Sequence, residues 1–273
     1  MRTMSSLEVE FNPDHLNVIK QFIVNKVKEP GLDGVVFGLS GGIDSAVVLK
    51  LSTLVFPSAK IGAIYMPEST TPKQDAKDAY LIAKHCNIKL IELPIDPILK
   101  IYLELKGIPK TNPTSLGNLK ARIRMNIIFF IANSLNRLVL GTSNKSELLL
   151  GYFTKYGDGA SDVAPIGDLY KTQVLQLAEY LKLPISIILK PPTAGLVVNQ
   201  TDEQELGMDY TTIDKILYGL ELNFSSNKIS KILNLKESQV QEIKQRKENN
   251  RHKRKFPKIP KIGIKTIGLD LYE

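Results

Sequence analysis

The chain has 273 residues, of which 43% are hydrophobic and 23% are charged. This composition is that of a globular protein and excludes a disordered chain, a collagen and a coiled-coil rod. Lysine and arginine exceed aspartate and glutamate by eight, so we expect anionic ligands such as nucleotide phosphates or nucleic acid. The single cysteine, Cys86, excludes an intrachain disulfide and a four-cysteine zinc site.

The sequence contains no sign of membrane association. No segment approaches the roughly 18–20 consecutive apolar residues that a bilayer-spanning helix needs. The first residues include Glu8 and Glu10 and no apolar core of a secretory signal. We therefore expect a cytoplasmic protein, in a compartment where thiols stay reduced.

Short β-branched segments alternate with amphipathic ones through the first half of the chain. The predicted strands are 34–39, 60–65, 88–93 and 137–141. The predicted helices are 13–27, 44–55, 72–85 and 115–135. This alternation indicates βαβ crossovers, and hence an α/β fold with a Rossmann-like doubly wound parallel sheet and helices on both faces.

The second half of the chain has weaker periodicity. Residues 153–168 are rich in glycine and aspartate, and a loop of that length is often a lid or a binding loop. Further helices are predicted at 171–181, 211–220, 226–233 and 238–248, and a basic segment follows in which Glu248 is the only acid between 244 and 265. We expect a single domain over 1–273, with the sheet core at about 13–200 and helices plus a basic tail at about 201–273.

The first predicted strand ends in Ser40-Gly41-Gly42, and a helix follows at once. Glycines let the backbone turn tightly and approach a ligand, while the start of a helix offers free N–H groups and a positive dipole. Asp44 would repel a bound phosphate unless a divalent cation lay between them, so we interpret it as a Mg²⁺ ligand. The plainer alternative is an ordinary turn in which Ser40 caps the helix and Asp44 is a first-turn acid.

Several motifs resemble one known family. The segment S-G-G-x-D-S is neither a Walker A loop nor a dinucleotide-binding G-x-G-x-x-G turn. It resembles the loop of the ATP pyrophosphatase superfamily, whose members cleave ATP between the α- and β-phosphates. G-T-S-N-K-S-E at 141–147, G-Y-F-T-K-Y-G-D-G at 151–159 and K-P-P-T at 190–193 narrow the resemblance to the NAD⁺ synthetase family. N-L-K-A-R-I-R-M at 118–125 and H-K-R at 252–254 are also similar to that family.

This resemblance implies an adenine nucleotide α-hydrolase-like fold and assigns roles to individual positions. The residues matched to ATP contacts are Gly38, Leu39, Ser40, Gly41, Gly42, Ile43, Asp44, Ser45, Thr142, Lys171 and Thr193. Asp44 and Glu147 match Mg²⁺ ligands, and Asp44 and Lys171 match the catalytic residues. The residues matched to contacts with nicotinic acid adenine dinucleotide (deamido-NAD⁺) are Arg122, Lys155, Asp162, His252 and Lys253.

Most of these assignments have a plainer alternative. Glu147 could be an exposed helix acid, and Thr142 could cap a helix as well as contact ATP. Lys171 opens a predicted helix, where a cation opposes the helix dipole, so a site role is favoured over that of a surface lysine. Arg122 could belong to a solvated helix face, and His252 to a solvated basic tail.

The resemblance implies amidation of deamido-NAD⁺ with ammonia, through an adenylated carboxylate, to give NAD⁺, AMP and pyrophosphate. Glutamine-using relatives carry an additional hydrolase domain, for which the 33 residues before Gly34 leave no room, so free ammonia is the expected donor. The family's members are usually homodimers. Residues 127–131 could form such a contact or pack in the core.

Three other functions are weighed against this one. An RNA-modifying enzyme of the same superfamily would often use paired cysteines, and this chain has one. A nucleic-acid-binding module would carry an RNA-binding motif, and none is found. A nucleotide sensor without chemistry would not need Asp44, Glu147 and Lys171 together. We therefore expect ATP, deamido-NAD⁺ and ammonia as partners, with no nucleic acid and no membrane.

Overall fold

The computed structural model describes residues 7–107, 109, 112–192 and 202–267. Its strands are β1 (Gly34–Gly38), β2 (Ile61–Tyr65), β3 (Leu90–Glu92) and β4 (Arg137–Val139). They form one parallel sheet in the order β3-β2-β1-β4. Val35 of β1 pairs with Ile61 on one side and with Leu138 on the other, so β1 lies inside the sheet.

Helices cover both faces of the sheet. Those of the first half are α1 (His15–Lys28), α2 (Ile43–Thr53), α3 (Lys73–His85), α4 (Asp96–Leu103) and α5 (Pro113–Ser134). Successive side chains of a strand point to opposite faces. Val35 and Phe37 therefore pack with α1, α2 and α3, whereas Val36 packs with α4 and α5. The predicted doubly wound α/β sheet is confirmed.

The second half of the chain is helical. Its helices are α6 (Lys145–Leu150), α7 (Lys171–Tyr180), α8 (Ile185–Ile188), α9 (Asp202–Leu206), α10 (Tyr210–Glu221), α11 (Ser226–Leu233) and α12 (Glu237–Asn249), and a 3₁₀ turn follows at Arg251–Arg254. A second hydrophobic cluster includes Leu7, Leu150, Tyr170, Ile213 and Ile243. This cluster joins the start of the described chain and the helices after β4 to the late helices. None of the described helices is long and apolar enough to cross a membrane.

The strand order creates one favourable place for a ligand. The chain moves from β1 to β2 and β3 on one side, and then returns to place β4 on the other side of β1. In open α/β sheets, ligands bind in the crevice that forms at the carboxyl ends of strands where the order reverses in this way. The loops that follow β1 and β4 therefore meet at the expected position of a binding site.

Candidate active site

A cavity of about 930 Å³ lies at the carboxyl ends of the strands. The predicted site residues that line it are Gly38, Leu39, Ser40, Gly42, Ile43, Asp44, Ser45, Thr142, Glu147, Lys171 and Lys253. The structure thus brings together most of the predicted ATP-binding residues. Thr193 lies outside the described residues.

The loop after β1 is held by its own serines. The Ser40 hydroxyl accepts the N–H of Gly42 at 3.2 Å, and the Ser45 hydroxyl donates to the Gly42 carbonyl at 3.0 Å. Gly42, and not Ser40, is the N-cap of α2, so the alternative in which Ser40 caps the helix is wrong. Gly41 has a φ of 84°, and a Cβ there would lie 2.5 Å from the Asp75 carbonyl. Only glycine fits this turn.

Lys190 fixes the same loop to α3. Its ammonium donates to the Gly41 carbonyl at 3.3 Å, to Asp75 Oδ1 at 2.8 Å and to Asp78 Oδ2 at 2.6 Å. These two carboxylates raise the pKa of Lys190 more than its burial lowers it. Sequence reasoning gave Lys190 no role of its own. The available signal was its place in the K-P-P-T motif.

Two carboxylates and one ammonium meet at the floor of the cavity. Asp44 lies in the first turn of α2, Glu147 lies in α6 just after β4, and Lys171 opens α7. Lys171 Nζ lies 2.5 Å from Asp44 Oδ2 and 3.9 Å from Glu147 Oε1. Lys171 is only 3% exposed, and the Glu147 side chain is 16% exposed. The surface alternatives for both residues are therefore wrong.

Burial and charge perturb these groups in consistent directions. Burial raises the pKa of Glu147 well above its ordinary value, and the nearby Asp44 carboxylate adds to that effect. Burial lowers the pKa of Lys171, but the attraction of Asp44 and Glu147 outweighs burial and leaves that pKa raised. Two carboxylates against one ammonium leave an excess of negative charge, which a further cation would neutralise.

The two carboxylates fit a magnesium ion in chemical type. Mg²⁺ prefers oxygen ligands and usually binds one or two carboxylates, completing its shell with water and substrate phosphates. In the described part of the chain, no group of three or more histidine, cysteine, aspartate or glutamate side chains could hold a metal ion. Asp44 and Glu147 could therefore hold Mg²⁺ only together with phosphate oxygens or water.

Asn144 caps the helix that carries Glu147. Its side-chain oxygen accepts the Glu147 N–H at 3.0 Å, and the residue is completely buried. The alternative in which Thr142 caps this helix is therefore wrong. Sequence reasoning missed Asn144, although the spacing N-x-x-E at 144–147 is that of a capping box.

Three of the predicted dinucleotide contacts form a rim outside the cavity lining. Arg122 donates to the Lys155 carbonyl at 3.4 Å, and Lys155 Nζ donates to the His252 carbonyl at 3.2 Å. Arg122 and His252 are exposed and Lys155 is half-buried. Lys155, in the loop after α6, thus joins α5 to the basic segment at His252.

The other two predicted dinucleotide contacts have different surroundings. Lys253 lines the cavity, and its ammonium donates to the carbonyls of Gly151 at 2.6 Å and Phe153 at 2.9 Å. Asp162 lies apart, where its carboxylate accepts the Val139 N–H at 2.7 Å at the end of β4. The loop 153–168 is accordingly tied to the end of β4 around Asp162 and Val163, and to the basic segment at Phe153.

A family model described as NAD synthase matches residues 15–257. The chain belongs to the NAD synthase family. The matched range includes the glycine turn after β1, the acidic residue of α6 and the basic segment at 252–254. The resemblance found in the sequence motifs is confirmed.

Individual members of the NAD synthase family are similar over almost the whole chain. An NH₃-dependent NAD⁺ synthetase of Methanococcoides burtonii is 42% identical over 89% of this chain and 93% of that protein. Among solved structures, NMN synthetase from Francisella tularensis has a TM-score of 0.81 at 32% identity, covering 93% of this chain and 100% of that one. NH₃-dependent NAD synthetase from Campylobacter jejuni has a TM-score of 0.76 at 36% identity, covering 91% and 98%.

Proposed function

We propose that this protein catalyses the ATP-dependent amidation of deamido-NAD⁺ with ammonia, giving NAD⁺, AMP and pyrophosphate. The observation that carries the proposal is the meeting of Asp44, Glu147 and Lys171 at a glycine turn inside one cavity. Such a group suits the binding and cleavage of a triphosphate. The NH₃-dependent relative at 42% identity supports the choice of substrates.

The reaction has two steps. The nicotinate carboxylate oxygen attacks the α-phosphorus of ATP, the bond to the β-phosphate oxygen breaks, and pyrophosphate leaves with the bonding pair. Ammonia then attacks the carbonyl carbon of the acyl adenylate, AMP leaves, and the nitrogen loses one proton. No side chain acts as a nucleophile, so catalysis consists of positioning and charge stabilisation.

The residues of the cavity divide this work among them. The turn at 40–45 would cradle the phosphates that leave as pyrophosphate. Lys171 would stabilise the negative charge that develops on the phosphates. Asp44 and Glu147 would hold Mg²⁺, which supplies charge neutralisation at the triphosphate when bound. Thr142, and Thr193 outside the described residues, complete the ATP-binding set that we propose.

The second substrate would bind across the rim formed by Arg122, Lys155 and His252, with Lys253 at the cavity edge. The exposed guanidinium of Arg122 suits a phosphate or carboxylate. Asp162 belongs to this set only through the family resemblance, because its observed hydrogen bond is to the backbone of β4. We keep it as a proposed contact.

We also propose a homodimer. Phe130 on α5 is 73% exposed, whereas the neighbouring Ile127 and Ile128 are partly buried against the hydrophobic side chains between the sheet and α5, which include Val36 and Val139. An exposed aromatic side chain beside a half-buried apolar face suits a subunit contact. Sedimentation as a monomer at every concentration would contradict this proposal. The cytoplasmic location and the single-domain organisation stay predictions.

A product assay tests the function. The purified protein is incubated with ATP, Mg²⁺, ammonium and deamido-NAD⁺, and AMP and NAD⁺ should form in equal amounts. Because one structural relative is an NMN synthetase, nicotinic acid mononucleotide replaces deamido-NAD⁺ in a second arm. Glutamine replaces ammonium in a third arm and should not support turnover. Absence of AMP in the first two arms, together with salt-sensitive RNA binding, would contradict the proposal.

A further inference from the structure

Asn144 makes a second contact that helix capping does not explain. Its side-chain oxygen accepts the Glu147 N–H at 3.0 Å, while its amide nitrogen donates to Asp44 Oδ1 at 2.9 Å. Its backbone N–H also donates to Glu147 Oε2 at 3.2 Å. One completely buried residue therefore touches both carboxylates of the cavity floor.

The chemistry of the contacts fixes the orientation of this amide. The Glu147 N–H needs an acceptor and the Asp44 carboxylate needs a donor, so a flipped amide would lose both hydrogen bonds. A cap that only served α6 could have been a serine, a threonine or an aspartate. Serine and threonine are too short to cap and reach Asp44 with a donor, and aspartate would present a third negative charge to it. Asparagine alone among the good caps combines an acceptor for one neighbour with a neutral donor for the other.

The two carboxylates come from loops that follow different strands. Asp44 follows β1 and Glu147 follows β4, and their like charges repel each other. Asp44 is held on both oxygens, with Lys171 at Oδ2 and Asn144 at Oδ1. Glu147 is held through its backbone and through one carboxylate oxygen by the same asparagine. The Asn144 side chain thus links the Asp44 carboxylate to the first turn of α6, while its backbone N–H orients the Glu147 carboxylate.

We propose that Asn144 is a positioning residue that sets the geometry of Asp44 and Glu147 for a divalent cation. The proposal rests on the proposed function, because it takes these carboxylates as the cation ligands. Removing a group that orients metal ligands typically lowers metal affinity about 10–100-fold. Asn144 therefore contributes to cation affinity, in addition to the stability that any helix cap provides.

Variants can separate the two roles. Asn144→Ala removes both the cap and the contact with Asp44, whereas Asn144→Ser restores only the cap. Asn144→Thr also caps and fills more of the buried volume, so it serves if the serine variant does not fold. Asn112 provides the matched control. It caps α5 through an equivalent 2.8 Å hydrogen bond from the Ser115 N–H, is exposed and does not line the cavity.

The experiment measures thermal unfolding, Mn²⁺ binding by electron paramagnetic resonance with ATP present, and the KM for Mg²⁺ against kcat. Relative to the alanine variant, Asn144→Ser and Asn144→Thr should regain melting temperature. They should still bind Mn²⁺ at least about tenfold more weakly than the wild type. Asn112→Ser should leave Mn²⁺ binding and both kinetic constants unchanged.

Two results would contradict different proposals. If a capped Asn144 variant binds Mn²⁺ as tightly as the wild type, Asn144 is only a helix cap and the proposal is overturned. If the wild type forms neither NAD⁺ nor AMP, the proposed function fails instead. The Mn²⁺ comparison still decides the positioning role in that case, because it does not require turnover.

Discussion

The carboxylate of Asp214 accepts two hydrogen bonds from Thr172, one from its N–H and one from its hydroxyl, each at 2.9 Å. Asp214 is completely buried in α10, and Thr172 is the second residue of α7. The other oxygen of Asp214 accepts the Ser146 hydroxyl at 2.5 Å, and that hydroxyl accepts the Lys171 N–H at 2.9 Å. An anion at the start of α7 offsets the unfavourable position of the Lys171 cation.

Replacing Asp214 should weaken both stability and catalysis. Asp214→Ala leaves the buried donors of Thr172 and Ser146 without an acceptor, which costs about 1–3 kcal/mol of the free energy of unfolding for each group. Asp214 is linked to the Lys171 N–H through the Ser146 hydroxyl, so the variant should hold Lys171 less firmly. We therefore expect kcat to fall while the KM for ammonia stays similar. Chemical denaturation and steady-state kinetics measure the two effects.

Asp209 serves as the control for Asp214, because it is the exposed N-cap of the same helix and accepts the Thr212 N–H at 2.9 Å. Asp209→Ala should cost about 1 kcal/mol of stability and leave kcat unchanged. Equal kcat values for the two variants would contradict a role for Asp214 in positioning Lys171.

Removing the buried ammonium should expose the repulsion between the two carboxylates. In Lys171→Met, Asp44 and Glu147 face each other without their cation, and breaking a buried pair typically costs about 3–5 kcal/mol. The melting temperature should therefore fall without metal, and Mg²⁺ should raise it more in the variant than in the wild type. Turnover should be lost in both conditions. An identical Mg²⁺ shift for the two proteins would show that the ammonium and the metal do not share these ligands.

Lys253 should contribute more to the binding of deamido-NAD⁺ than the other lysines of the basic segment. Lys253→Met removes the donor to Gly151 and Phe153 and one positive charge from the cavity edge. A charge-assisted hydrogen bond from Lys253 to the substrate would be worth about 1.5–3 kcal/mol, so its loss from the proposed dinucleotide site should raise the KM for deamido-NAD⁺ about tenfold or more. Lys258→Met removes an equal charge from an exposed position and should leave that KM unchanged. A similar rise in both variants would point to a general effect of net charge.

Divalent cation binding should depend on pH. Burial and the Asp44 carboxylate raise the pKa of Glu147 above its ordinary value, so a proton and a cation compete for this carboxylate at higher pH than they would for an ordinary one. Cation affinity should therefore rise with pH until Glu147 is fully ionised, and level off above that point. Titration calorimetry with Mg²⁺ alone, in buffers of different ionisation enthalpy, should detect more proton release at pH 7 than at pH 9. Glu147→Gln should abolish the release, and a wild type that releases no proton at pH 7 would contradict the assignment.

The sequence predicted the sheet and the glycine turn because their signals are local. The β-branched residues of β1 and the apolar period of α2 lie next to the turn that joins them, so one short segment carries the whole motif. By contrast, α6 has only six residues, too few to display a helical period, and α4 begins at Asp96-Pro97 within a segment for which no helix was predicted.

The supporting contacts of the site could not be predicted in the same way. Lys190 meets Asp78 across 112 positions of the chain, and Thr172 meets Asp214 across 42. Such pairs depend on how helices pack, which local patterns do not record. Asp44 was found from the chemistry of its turn, and Glu147 and Lys171 from family motifs, whereas Asn144 and Asp214 contact those residues and carry no such mark.

The second hydrophobic cluster needs the late helices, so it forms only when the chain is almost completely synthesised. The ribosome releases the glycine turn at 40–45 well before Asp214, which is linked to Lys171 through Ser146, and Lys253, which lines the same cavity. Domains generally fold as units during synthesis. A nascent chain that has not yet exposed its last helices therefore contains Asp44, Glu147 and Lys171 but still lacks Asp214, Lys253 and the late helices that complete the cavity.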